Sequence, residues 1–101
     1  NGDKGDIECY EDSNGILVEV TMSEGRMQTV MEVWPISRHL EEFKKSVDKS
    51  MCYFIAPSMF IDSTRQIEFV RKQSNLLISA KTIEEFTNFV EKEKTLYCND
   101  I

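Results

Sequence analysis

The chain has one histidine, three widely spaced cysteines and no C-x-x-C pair. A structural zinc site therefore has too few ligands at usable spacing. The four glycines stand at 2, 5, 15 and 25, and no phosphate-cradling loop can be built from them. There is no G-x-S-x-G, and one histidine among scattered serines is thin support for a nucleophilic triad. No apolar run approaches the ~20 residues that span a bilayer. The longest, Met51 to Pro57, is strand length. Asn1 is followed by neither a basic nor an apolar stretch, so no signal peptide is read. The missing start Met is what a fragment or processed piece would show. Cys9, Cys52 and Cys98 give an odd count. Cys9 and Cys52 lie in apolar strand-like runs and read as buried thiols, which suits a reducing cytoplasm.

Excess positive charge is also missing. The 101 residues carry a formal charge of -6. The first 34 hold eight acids (Asp3, Asp6, Glu8, Glu11, Asp12, Glu19, Glu24, Glu32) against Lys4 and Arg26, and the remainder balances. This argues against a free-standing nucleic-acid binder, whose non-specific affinity comes from Lys and Arg on phosphates. An enzyme carried to DNA by another domain stays open. A local carboxylate excess suits a divalent cation, and it equally suits a plain solvated loop.

What is present is one domain's worth of chain, 41% hydrophobic and 30% charged, enough for a single modest core. Residues 1–6 read as loop. Ile7 to Tyr10 reads as a strand, Asn14-Gly15 as a hairpin signal, and Ile16 to Met22 as the returning strand. Alternation puts Ile16, Val18 and Val20 on one face and Leu17, Glu19 and Thr21 on the other. Gly25 to Val33 reads as a short helix that Pro35 ends or kinks, or Pro35 opens the next one. In that next helix Ile36, Leu40, Phe43 and Val47 form an apolar stripe. Met51 to Ala56 is a buried strand. Asp62 or Ser63 can cap a helix carrying Ile67 and Val70, and Ser63 with Gln66 matches a capping box. Leu76 to Ser79 is a strand. Thr82 with Glu85 is a second capping box, for a helix turning Ile83, Phe86, Phe89 and Val90 inward. Strands alternating with helices imply parallel neighbours, hence an α/β fold with a mixed sheet.

Paired carboxylates are the remaining chemistry. Asp6 lies at the mouth of the first strand and Glu19 in the middle of its partner. Adjacent strands are about 4.8 Å apart, so the two can share one cation if they face the same way. Glu19 stands between Val18 and Val20, where a carboxylate is unfavourable unless paired or metal-bound. Gln28 and Glu32 are four apart, on one face of a helix. The simpler alternative puts Glu19 on a wet strand face and Asp6 in a turn. Arg38 and His39, just after Pro35, are placed to touch phosphate, or else to make a surface ion pair and a packing contact.

The ordered set Gly5-Asp6-Ile7-Glu8-Cys9, Ile16-Leu17-Val18-Glu19-Val20-Thr21, Gln28 with Glu32, and Ser37-Arg38-His39-Leu40 resembles the cleavage domain of AlwI-type type IIS restriction endonucleases and related nicking enzymes. Tyr53-Phe54-Ile55-Ala56-Pro57 and Thr82-Ile83-Glu84-Glu85-Phe86 also resemble that family, over roughly residues 5 to 90 in all. The resemblance implies a PD-(D/E)xK nuclease fold: a mixed sheet of about four or five strands flanked by helices. It implies Mg²⁺-dependent DNA cleavage, with Asp6, Glu19 and Glu32 as catalytic metal ligands and Arg38 and His39 on DNA. Thr21 falls where the wider superfamily has lysine, and Gln28 is the candidate for positioning water. The family core also has a helix and a strand before Asp6. Residues 1–101 are therefore expected to be a single partial cleavage domain without a recognition domain. Double-stranded DNA would be presented by a separate domain or subunit, and double-strand cleavage would use a transient dimer. No membrane partner is expected. The competing class is a degenerate nuclease fold kept as a scaffold or interaction module.

Overall fold

The computed structural model describes residues 6–74 and 76–99. The loop expected at residues 1–5 lies outside them. Strand β1 (Ile7–Glu11) and strand β2 (Asn14–Val20) form an antiparallel hairpin. A π-helical segment (Gln28–Val33) runs directly into helix α1 (Trp34–Lys44). Strand β3 (Lys49–Ala56), helix α2 (Ile61–Ser74), strand β4 (Ile78–Thr82) and helix α3 (Ile83–Asn99) follow. The sheet order is β1-β2-β3-β4, with β2, β3 and β4 parallel. This is the mixed α/β sheet that the alternation of strands and helices predicts.

The hairpin turn is not at Asn14-Gly15. Glu11 pairs with Asn14, so the two-residue loop is Asp12-Ser13, and Asp12 takes the left-handed conformation at φ 56°. Asp tolerates that region because its short side chain bonds locally. Gly15 instead lies inside β2, where a Cβ would meet Phe43 Cζ at 2.5 Å. Its small size serves packing against α1.

Pro35 does not end the preceding helix. It sits in the first turn of α1, and the Trp34 N–H bonds to the Thr29 carbonyl, five residues back. The wider i→i+5 turn absorbs a ring that would clash with the i−4 carbonyl of an α-helix. The second correction concerns Ser63. Helix α2 starts two residues earlier, with Ser63 and Thr64 N–H groups bonded to Phe60 O. Ser63 is buried within the helix, and its hydroxyl pairs with that of Thr29 at 2.7 Å. The Thr82–Glu85 capping box forms as expected, with reciprocal bonds of 2.8 and 3.1 Å. Strand β4 starts at Ile78, two residues later than the apolar run suggests.

The core fills the space between the inner sheet face and helices α1 and α2. Leu17, Cys52, Phe54 and Ile78 meet Ile36, Leu40, Phe43 and Ile67 there. The outer face is less covered. Helix α3 lies over β3 and β4 and stacks Phe86 and Phe89 on Tyr53 at ring distances of 5.5 and 5.7 Å. Ile83 and Val90, expected inward, are exposed. Cys9, expected as a buried thiol, is exposed as well. No described helix is long and apolar enough to cross a membrane.

A candidate active site around Glu19

Residues 17, 19 and 21 share the face of β2 that packs on α1. Leu17 is fully buried there, and Thr21 and Glu19 are only 6% and 7% exposed. The wet-face alternative for Glu19 is therefore excluded: the strand's alternation carries this carboxylate to the rim of the core. Burial of this kind is unfavourable without a partner. The partner is His39, on α1. Its Nδ1 lies 3.1 Å from Glu19 Oε1.

Of the two readings of His39, phosphate contact or packing, the inward position fits packing: its side chain is only 12% exposed. The signal for this is in the sequence: His39 is three residues from Ile36 and four from Phe43, within the apolar stripe. Arg38, the next residue back, is exposed.

Asp6 reaches the same end of β2. One of its carboxylate oxygens accepts the Val20 N–H at 2.7 Å. Ile7 pairs with Val18, so one step further along the ladder Asp6 stands opposite Glu19. Glu32 approaches from the π-helical segment and is partly buried. Asp6 and Glu32 both act on Glu19. Burial pushes the Glu19 carboxyl above its ordinary range, His39 pulls it down, and the charges of Asp6 and Glu32 push it up again.

Gln28 is fully buried. Both of its amide protons are taken, by Ser23 O at 3.1 Å and Ser58 O at 2.8 Å, and its Oε1 accepts the Phe60 N–H at 2.9 Å. The water-positioning role that the resemblance implies for Gln28 has no amide proton left to serve it. These backbone partners are invisible in the sequence, because any residue supplies them. Thr21 accepts the Ser23 N–H on its hydroxyl at 3.0 Å.

Three carboxylates supply the hard oxygen donors that a divalent cation of the magnesium type takes. Their spacing is looser than a closed site. Among the described residues no three His, Cys, Asp or Glu side chains are gathered tightly enough to hold an ion together. Glu19 is engaged by His39 and Asp6 by the Val20 amide.

A solved structure shares this fold. The small subunit (R.BspD6I2) of the heterodimeric restriction endonuclease R.BspD6I, known from its crystal structure, superposes with a TM-score of 0.79 at 24% identity. The match covers 91% of this chain and 48% of that one, so the chain spans about half the length of that subunit. The likeness establishes a restriction-endonuclease-like fold. No curated protein matches. The sequence model of the AlwI restriction endonuclease family matches residues 1–92. Family and fold together give the chain a nuclease-related role. With nearly the whole sequence inside that match, the chain belongs to the AlwI restriction endonuclease family.

Proposed function

We propose that this chain is the cleavage module of a type II site-specific endonuclease, hydrolysing DNA phosphodiester bonds with Mg²⁺ held by Asp6, Glu19 and Glu32. The observation that carries the reading is Glu19: a buried carboxylate, at a strand end, raised in pKa by burial and by two further acids. A cation removes that unfavourable energy where a second carboxylate would add to it. When bound, Mg²⁺ would neutralise the phosphate oxygens and lower the pKa of a coordinated water.

The chain's own residues do the rest. Asp6 and Glu19 present oxygens from adjacent strands, and Glu32 presents its oxygens from the helical side. His39 fixes the orientation of Glu19 through the 3.1 Å contact, as partners of metal-binding side chains commonly do. Arg38, exposed beside this pair, offers a phosphate contact.

DNA is brought to the site by a separate recognition domain or subunit. The net charge of -6 supports this, since the chain lacks a basic excess of its own. Pairing with a second nuclease subunit is the route to cutting both strands; the solved neighbour is itself a subunit of a heterodimeric restriction endonuclease. A surface groove of about 460 Å³ lies beside the π-helical segment. Val30, Trp34, Phe60 and Phe69 supply its apolar lining. The setting is the cytoplasm.

One observation favours a second reading, a scaffold without activity: the acids are looser than a closed metal site. Supercoiled plasmid separates the two. The complete protein with its partner subunit should nick or linearise it in Mg²⁺, and Glu19→Gln should abolish this. Cleavage that persists in EDTA or in Glu19→Gln rejects the proposal. Absence of wild-type cleavage in Mg²⁺ favours the scaffold.

A further inference from the structure

Gln28 joins three stretches of chain beside the ends of β2 and β3. Its amide binds Ser23 in the connection after β2, and Ser58 and Phe60 in the connection after β3. Those connections leave the same ends of adjacent parallel strands. The first is also tied back to the sheet, through Thr21 N to Ile55 O at 2.9 Å and Ser23 N to the Thr21 hydroxyl at 3.0 Å. Gln28 itself opens the π-helical segment that carries Glu32. The next residue, Thr29, is locked to Ser63 of α2 at 2.7 Å. An unbroken set of bonds therefore runs from the strand bearing Glu19 to the helix bearing Glu32.

Only an amide can close it. The partners are two carbonyls and one N–H, which call for two donors and one acceptor on one planar group. A carboxylate in that place would face two carbonyl oxygens, and an apolar side chain would leave three buried groups unpaired. Asn has the same amide on a stem one methylene shorter.

We infer that Gln28 is a positioning residue that sets the placement of Glu32 relative to Glu19 by holding the π-helical turn open. A π-turn holds one residue more than an α-turn. Relaxation to α geometry would rotate the residues beyond it by about 100°, and Glu32 would leave the cluster. The inference rests on the reading that Glu19 and Glu32 hold the cation.

The test is Mn²⁺ binding to the complete protein, followed by electron paramagnetic resonance at a temperature where every variant is folded. Gln28→Met keeps length and removes all three bonds. Gln28→Asn is the milder second variant. Ile78→Val, in the core of β4, serves as a destabilised control. Both Gln28 variants should bind Mn²⁺ at least about tenfold more weakly, the scale seen when a partner of a metal ligand is lost. The control should bind like wild type, even where its melting temperature falls as far. Wild-type affinity in the Gln28 variants overturns the inference and leaves the nuclease reading standing. Equal weakening in Ile78→Val also overturns it, as does failure of both Gln28 variants to fold, which assigns the residue to the fold alone. A wild-type protein that binds no Mn²⁺ overturns the metal-dependent reading, and this inference with it.

Discussion

The imidazole of His39 and the carboxylate of Glu19 meet across the β2–α1 interface, Nδ1 to Oε1 at 3.1 Å, with both side chains largely buried. Twenty residues separate them in the chain. The pair makes a buried acid tolerable, because the histidine counters part of the upward push that burial exerts on Glu19.

His39→Leu leaves Glu19 buried without that partner. The Glu19 carboxyl should titrate still higher, and the protein should lose about 1–3 kcal/mol at neutral pH, the scale for an orphaned buried polar group. Urea unfolding measures the stability, and carboxyl carbon chemical shifts follow the titration. Unchanged stability and an unchanged titration would show that the 3.1 Å contact carries no weight.

The pH dependence of metal-free stability follows from the sign of the Glu19 shift. Its folded value is above the ordinary 4.5, so over that interval the native state holds a proton that the unfolded chain has released. Unfolding free energy therefore falls as pH rises from the ordinary value through the raised one. The contribution of Glu19 is full below that window and lost above it. Glu19→Gln should lack this fall. The difference between the two unfolding curves, taken against pH, isolates it, and parallel curves would contradict the assignment.

Gly15→Ala pushes a Cβ into the Phe43 ring, 2.5 Å from Cζ, and within 2.8 Å of Val47 Cγ1. Overpacking of this kind costs about 1–3 kcal/mol. The substitution should lower the melting temperature. A neutral Gly15→Ala would mean that α1 shifts freely on the sheet.

Thr82→Ala removes the hydroxyl that accepts the Glu85 N–H at 3.1 Å. Loss of a cap of this type costs about 0.5–2 kcal/mol. Hydrogen exchange at the first turn of α3 should accelerate, while exchange at α1 should not. Equal acceleration in both would point to global unfolding instead of loss of the cap.

Trp34→Glu places a charge in the apolar groove beside the π-helical segment. If a second nuclease subunit docks there, sedimentation of the complete protein should shift toward monomer. Plasmid cleavage should then shift from linear toward nicked product. An unchanged sedimentation profile would remove the groove from the pairing surface.

Local patterns were legible without coordinates. The alternation around Glu19 separated the two faces of β2, the step from Ile36 to Leu40 to Phe43 marked the buried side of α1, and Thr82 with Glu85 marked the start of α3. Each signal lies within a few residues, so backbone period and capping chemistry suffice to read it. The segregation of negative charge was also plain from residue order. Whether Glu19 was wet or buried was not, because alternation defines two faces and only α1 decides which is covered. The turn fell at Asp12-Ser13 because Phe43, far along the chain, claimed Gly15. Pro35 was accommodated because a π-turn, braced from outside, widened to receive it. The Gln28 clamp was beyond sequence altogether, since its partners are backbone groups that every residue type presents. Periodicity set the elements and their order; long-range packing chose the buried face, and with it the position of each acid in the site.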